Sequence, residues 1–231
     1  MDGSTTATTG PGAGEVRRTV LRVLSNVMFG AAVGLLAYYG VTNLVNASDQ
    51  AALGSQLGEA GASSVLTPVS IATSGTVMDL DGWKEQDEAF WTKLPEGGAF
   101  GRIVASAMGL DAVVVKGTRT ADLRRGPGWI ASTDLPGATG NVGISGHRTT
   151  YGHPFGRLDV LKAGDAIDLY SPYRRYRYVV DRTFVVTPDR VDVVAHTEEP
   201  KLTLTACHPP YSARYRLIVQ AKLIDVRRLV P

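Results

Sequence analysis

The stretch LTLTACHPPYSARYRLIVQAKLI, residues 202–224, contains two segments in which apolar and polar residues alternate. Alternation with a period of two is typical of a β-strand that buries one face. In the first segment Leu202 and Leu204 face the core, so Cys207 leaves the strand on the outward face. The two prolines that follow end this strand, because proline cannot donate a hydrogen bond to a neighbouring strand. The stretch therefore predicts two strands joined by a short loop, with a thiol on the outside.

Strand-like runs of this kind recur from residue 100 onward, separated by Gly, Pro, Asp and Asn. Eight such runs lie at residues 101–105, 111–115, 141–145, 166–170, 176–186, 192–195, 202–205 and 215–224. Only brief helical patterns interrupt them, at residues 120–124 and 156–161. This arrangement predicts a mainly β domain over residues 100–228, built as a closed eight-stranded β-barrel with short helices.

An apolar segment near the N-terminus predicts a membrane anchor. Residues 23–45 carry no charge and are long enough as a helix to cross the hydrocarbon core of a bilayer. Three arginines lie just before this segment and no basic residue follows it until Lys84, which predicts a cytoplasmic N-terminus. A buried core helix and a cleaved signal peptide ending near residues 45–47 are the alternatives. The apolar core of a signal peptide is usually shorter, at about 7–15 residues, so we favour a retained single-pass anchor.

The other parts of the chain are distinguished by composition. Residues 1–22 form a predicted cytoplasmic tail. Residues 46–77, rich in Ala, Gly, Ser and Gln, form a predicted flexible linker outside the cell, with a short helix around residues 49–60 left open. Residues 78–99 form an appendage whose large aromatic residues pack on the main domain or cover a groove. The net charge is only +2, and basic residues are not interleaved with aromatic ones, so we exclude a nucleic-acid-binding surface.

The chain has a single cysteine, Cys207. Extracytoplasmic proteins use most cysteines in disulfide pairs, so one unpaired thiol indicates a reactive group; a buried cysteine acting as a small apolar residue is the alternative. A free thiol has a pKa of about 8.5 and needs a basic or cationic neighbour to react at neutral pH. Scattered histidines beside one cysteine lack the spacing of a metal site, so we predict none.

Candidate neighbours of the thiol come from two places. His147, in NVGISGHRTTYGHPF, follows an apolar strand at the point where a loop begins, which would place its ring at the rim of a barrel. His153, His196 and His208 are weaker candidates. Arg214 and Arg216 face outward on the strand after the cysteine, so one of them lies beside the thiol if the two strands pair.

Three short motifs resemble those of the sortases, which are membrane-anchored cysteine transpeptidases of Gram-positive bacteria. They are GHR at residues 146–148, TLTAC at 203–207 and RLIV at 216–219, and the resemblance covers residues 101–226. It implies that Cys207 is the nucleophile, that His147 is the general acid and base, and that Arg216 stabilises an oxyanion or holds the substrate.

The resemblance also implies a substrate groove lined by Thr203, Thr205 and Ala206. One departure from the family motif is visible, because the residue just before the cysteine is Ala206 where the family has threonine. A side-chain hydroxyl is therefore absent at that position, and only the backbone N–H could bind a substrate there.

The stretches GHRTTYGHPF, residues 146–155, and CHPPYSARYRLIV, residues 207–219, look most like class E sortases of high-GC actinobacteria. That class is associated with an L-A-x-T-G sorting signal. The implied partners are sorting-signal peptides of secreted surface proteins, an amine acceptor such as a lipid-linked peptidoglycan precursor, and the membrane; no cofactor is implied. A cysteine hydrolase or L,D-transpeptidase acting on peptidoglycan and a non-catalytic wall-binding module are the alternatives.

Overall fold

The computed structural model describes residues 13–58 and 76–229. Its α-helices are α1 (Ala13–Leu57), α2 (Ala89–Lys93) and α3 (Thr120–Arg125). Its strands are β1 (Ala99–Ala105), β2 (Leu110–Lys116), β3 (Gly128–Trp129), β4 (Asn141–Ser145), β5 (Ala166–Tyr170), β6 (Arg174–Val186), β7 (Lys201–His208) and β8 (Tyr215–Arg228).

Alternating apolar residues close these strands into a barrel in the order β1-β2-β3-β4-β7-β8-β6-β5. Two neighbouring pairs, β2 with β3 and β4 with β7, are parallel, and the other pairs are antiparallel. On β7 the inward residues Leu202, Leu204 and Ala206 are at most 2% exposed and belong to the main core. The predicted closed eight-stranded barrel is therefore confirmed.

One predicted strand is wrong. Residues 192–195 are not a strand, because the chain forms the 3-10 helix Val191–Val194 there. The carbonyls of Val193 in this helix and of Ala195 just after it accept hydrogen bonds from the side chain of Asn141 and not from the backbone of a neighbouring strand. The eighth strand is β3, whose two residues are too few to show any alternation in the sequence.

The first helix is longer than the predicted anchor. Residues 13–22 of the predicted tail are helical, and so are residues 46–57 of the predicted linker, which overlap the short helix considered at residues 49–60. Leu53 and Leu57 are at most 1% exposed and pack against a small cluster that includes Val113 and Val115. Residues 1–12 of the tail and 59–75 of the linker lie outside the described residues.

The predicted appendage packs on the barrel. Trp91 is 1% exposed, its indole N–H donates to the carbonyl of Phe100 at 2.8 Å, and the two rings stack. Arg174 at the start of β6 is fully buried. Its guanidinium donates to the Asp87 carboxylate, to Gln86 Oε1 at 2.9 Å and to two appendage carbonyls. These contacts favour the packing role over the lid.

The buried pair of Asp87 and Arg174 predicts a large effect on stability. Burial raises the pKa of Asp87, and the hydrogen bond from Ser171 and the charge of Arg174 oppose that rise. Asp87→Ala leaves the guanidinium buried without its counter-charge, so we expect a loss of about 3–5 kcal/mol in the free energy of unfolding. Denaturant unfolding followed by tryptophan fluorescence measures it. Asp192→Ala, which breaks the exposed pair with Arg190, is the control and should leave the transition unchanged.

Candidate active site

The ends of three neighbouring strands form the candidate site. Strands β4 and β7 are parallel, and Ser145 is the partner of Thr205. The ladder continues past the end of β4, because the Gly146 N–H donates to the carbonyl of Thr205 at 3.1 Å. Continued by two residues, this register brings His147 level with Cys207.

Strand β8 supplies the third residue. It runs antiparallel to β7, and Arg216 is the direct partner of Cys207. Directly opposite residues of an antiparallel pair lie on the same face, with Cα atoms about 4.5–5.5 Å apart. Arg216 therefore lies beside Cys207 on β8, and His147 lies two residues beyond the end of β4, the strand on the other side of β7.

The cysteine has the free thiol that the sequence predicts. Cys207 is half-buried and forms no disulfide. Ala206 before it is 2% exposed and belongs to the core, so its methyl group faces away from the thiol. Any contact of Ala206 with a bound peptide would therefore have to come from its backbone.

The two threonines of β7 differ in accessibility. Thr205, one layer below Cys207, is half-buried. Thr203, the next layer down, is 0% exposed, and its hydroxyl donates to Asn141 Oδ1 at 2.8 Å. Gln220, the partner of Thr203 on β8, donates to the carbonyl of Val193 at 3.0 Å. Residues 187–200 thus cover this layer, so Thr203 supports the covering segment and, contrary to the sequence expectation, does not line an open groove.

The two outward arginines are also distinguished by their positions. Arg216 is half-buried, and its guanidinium donates to the carbonyls of Ala213 at 3.0 Å and Tyr215 at 3.1 Å. Arg214 is exposed, lies before the first residue of β8 and places its guanidinium over the Tyr215 ring at 5.2 Å. The register thus pairs Arg216, and not Arg214, with the cysteine.

The imidazole of His147 is half-buried against the Tyr151 ring, with ring centroids 5.3 Å apart. Its Nε2 is buried and has no hydrogen-bond partner among residues 13–58 and 76–229. Burial lowers the pKa of His147, and the positive charge of Arg124 lowers it further. The guanidinium of Arg124 lies over the Tyr151 ring, 5.5 Å from its centroid. Both effects favour the neutral form of the ring.

These contacts predict a pH effect. Arg124→Gln removes the positive charge that helps to lower the pKa of His147, so we expect this pKa to rise towards 6.5. The neutral form of the ring would then be lost at a higher pH than in the native protein. An NMR titration of the histidine ring protons measures the change. Arg157→Gln, at an exposed arginine of the following segment, should leave the titration unmoved, and an equal response to both changes would contradict the assignment.

The contacts of Arg148 across the site could not be predicted from any sequence pattern. Arg148, next to His147, is 6% exposed. Its guanidinium lies 2.8 Å from His208 Nδ1 and 2.9 Å from the Asp159 carboxylate. Arg148 thereby joins the loop of His147 to the last residue of β7.

The remaining histidines lie outside this row. His153 is exposed and has a left-handed backbone, with φ of 37°. His196 lies 3.0 Å from the Asp134 carboxylate, and this hydrogen bond raises the pKa of His196. This pair joins the covering segment to the connection between β3 and β4. In the described part of the chain no group of three or more His, Cys, Asp or Glu side chains is arranged to hold a metal ion.

Known proteins resemble this chain in sequence. The sequence model of the sortase domain matches residues 103–224, just over half of the chain. The sortase SrtE1 of Streptomyces coelicolor is 32% identical over 105 residues, which cover 41% of this chain and 30% of that protein. Sortase D of Bacillus subtilis is 31% identical over 137 residues, which cover 59% of this chain and 66% of that protein. The matches thus cover less than two thirds of the length of either relative.

Solved structures resemble it in fold. A Sortase D5 transpeptidase from Clostridium perfringens has a TM-score of 0.56 at 27% identity, over 61% of this chain and 88% of that one. Sortase E1 from Streptomyces coelicolor, solved with a tripeptide in its active site, has a TM-score of 0.54 at 26% identity. That match covers 57% of this chain and 91% of the solved one.

Proposed function

The chain belongs to the sortase family, and from this premise we propose that it cleaves the Thr–Gly bond of a C-terminal sorting signal and transfers the acyl group to an amine. The observation that supports this proposal most is the strand register, in which Cys207 has Arg216 as its direct partner on one side and, on the other, the strand β4, which ends two residues before His147. A nucleophile, an acid–base group and a permanent cation are what acyl transfer through a thioester requires.

The proposed reaction has two halves. The neutral imidazole of His147 takes the thiol proton of Cys207, and the resulting thiolate attacks the threonine carbonyl. The C–N bond to glycine then breaks as the imidazolium gives this proton to the leaving amine. The product is a thioester between Cys207 and the threonine. An incoming amine then attacks this thioester, His147 takes a proton from the amine, and the thiolate is released.

Arg216 carries its charge through both halves, because a guanidinium is not deprotonated in proteins. We assign it the oxyanion of each tetrahedral intermediate, or the backbone of the bound signal, through charge-assisted hydrogen bonds. Its present bonds to the carbonyls of Ala213 and Tyr215 would have to be exchanged for bonds to the substrate. Thr205 is the remaining side chain of β7 that we place in the groove.

We place the site outside the cell, on a single-pass anchor at residues 23–45 with a cytoplasmic N-terminus. α1 covers this range and is long and apolar enough to cross a membrane. Arg17, Arg18 and Arg22 precede it, which favours the cytoplasmic orientation. A lipid-linked peptidoglycan precursor at the same membrane is the acceptor that we propose.

We further propose class E and a preference for L-A-x-T-G over L-P-x-T-G. The support for class E is the similarity of residues 146–155 and 207–219 to that class. Overall identity does not distinguish the classes, because SrtE1 and Sortase D match the chain at nearly the same identity. A library of signal peptides that varies the second position tests the preference. A higher kcat/KM for proline than for alanine would contradict it.

The test of the function uses the full chain in detergent micelles. It is incubated with L-A-x-T-G and L-P-x-T-G peptides and triglycine, and the products are identified by mass spectrometry. We expect a product in which triglycine replaces everything from the signal glycine onward. Cleavage without transfer would indicate a hydrolase, and the absence of both would reject the proposal.

A further inference from the structure

The C-terminal turns of α1, from Thr42 onward, belong to the same compact unit as the barrel. Gln50 pairs with the backbone of β2 through both ends of its amide. Its Oε1 accepts from the Val113 N–H at 2.7 Å, and its Nε2 donates to the Val113 carbonyl at 3.0 Å and the Arg125 carbonyl at 2.7 Å. With Leu53 and Leu57, this pairing fixes these C-terminal turns to the outside of the barrel.

Two asparagines on the same helix contact segments next to the site. Asn46 is 9% exposed and donates from Nδ2 to the carbonyl of Arg124 at 2.9 Å. Asn43 accepts through Oδ1 from the N–H of Gly152 at 3.1 Å. Gly152 has a φ of 72°, and a Cβ atom there would lie 2.2 Å from Asn46 Oδ1. The loop therefore packs on the helix at a distance that a glycine permits.

These contacts bind the two segments that carry Tyr151 and Arg124, the residues that surround the His147 ring. Gly152 directly follows Tyr151, whose ring lies against His147, and Arg124 lies over that same tyrosine ring. The helix thus binds the backbone beside the tyrosine through Asn43 and the backbone of Arg124 through Asn46.

The loop needs such support because its backbone is strained. Tyr151 and His153 have φ values of 51° and 37°, in the left-handed region. For residues other than glycine this conformation costs about 1–2 kcal/mol each and persists only where neighbouring contacts enforce it. The helix supplies contacts in the middle of this strained segment.

We propose that Asn43 and Asn46 are positioning residues for His147, so that the turns of the anchor helix next to the barrel set the geometry of proton transfer. This inference rests on the role proposed for His147. Misplacement of a catalytic group by about 1 Å can cost on the order of a hundredfold in rate. Loss of either asparagine should therefore reduce catalysis without removing any group that touches the substrate.

The experiment compares Asn43→Ala and Asn46→Ala with Ser48→Ala and Ser55→Ala, in the full chain in nanodiscs. The two serines lie on the exposed face of the same helix, and their hydroxyls donate to carbonyls of that helix. We expect kcat for transpeptidation to fall about tenfold or more in the asparagine variants, with KM within about twofold of the native value. The serine variants should match the native chain.

Two further measurements separate positioning from stability. Thermal unfolding is followed for each variant, and the His147 ring is titrated by NMR in a Cys207→Ala background. We expect the pKa of His147 to rise in the asparagine variants, since a released loop exposes the ring to water. Asn43 is half-buried and its change removes one hydrogen bond, so this variant should remain folded even if Asn46→Ala does not.

The possible results are distinct. If the native chain does not transfer peptide at all, the proposed function fails and the inference fails with it. If the native chain is active and the asparagine variants match the serine variants, only the positioning role is overturned. A loss of activity that follows the loss of folded protein, with an unchanged His147 titration, also overturns it.

Discussion

Cys207→Ala is expected to abolish both the acyl-enzyme and the transfer product. Cys207 is the only thiol in the chain, so no second sulfur can take over the attack on the signal peptide. Loss of a nucleophile that forms a covalent intermediate removes the reaction path itself, and we expect turnover at least a thousandfold below the native rate. Intact-protein mass spectrometry after mixing with the signal peptide measures the thioester, and chromatography of the peptide measures the product.

The control for this prediction is Ser212→Ala, in the loop that joins β7 to β8. Its hydroxyl accepts from the Arg214 N–H and is removed without touching the row of three residues. This variant should form the acyl-enzyme at nearly the native rate. Measurable transfer by Cys207→Ala, after contamination by native protein has been excluded, would reject Cys207 as the nucleophile.

Arg216→Lys is expected to lower kcat by about a hundredfold to a thousandfold, the range found when one donor to an oxyanion is removed. Lysine keeps the positive charge but lacks the planar set of donors that a guanidinium presents to two acceptors. Because Arg216 is the direct partner of Cys207, its side chain leaves the sheet beside the site of attack. Steady-state kinetics with the signal peptide and triglycine give kcat and KM separately.

Arg214→Lys is the matched control, since it makes the same chemical change two residues away. Arg214 is exposed and lies outside the paired part of β8, so we expect less than about a threefold change in kcat. A larger loss for Arg214→Lys than for Arg216→Lys would transfer the role to Arg214.

The barrel is predictable from sequence because its strands bury one face and therefore alternate. Leu202 and Leu204 face the core on β7 as their spacing predicts, and the pairing of Cys207 with Arg216 agrees with the predicted antiparallel neighbour. The position of His147 also follows from pattern, since it comes just after an apolar strand that lies beside β7. Periodicity therefore places the elements that carry the candidate site.

Other features could not be predicted because they depend on contacts between distant segments. The two-residue strand β3 is defined by its neighbours alone. The covering of Thr203 depends on where residues 187–200 lie, and alternation says nothing about that. The continued helix did leave a signal, since residues 46, 50, 53 and 57 share one helical face, but the small polar residues around them are also typical of a linker.

The cover over the lower part of β7 has a consequence for how a peptide could bind beside Cys207. The side chains of Thr203 and Gln220 both donate to the carbonyl of Val193, which covers them. Ile218, in the layer above, is 1% exposed. A peptide that follows β7 away from the thiol thus meets a closed end after about one layer of side chains. Its chain must turn outward there, so the number of positions read on that side is limited by residues 187–200, and redesign for longer recognition sequences would have to begin with that segment.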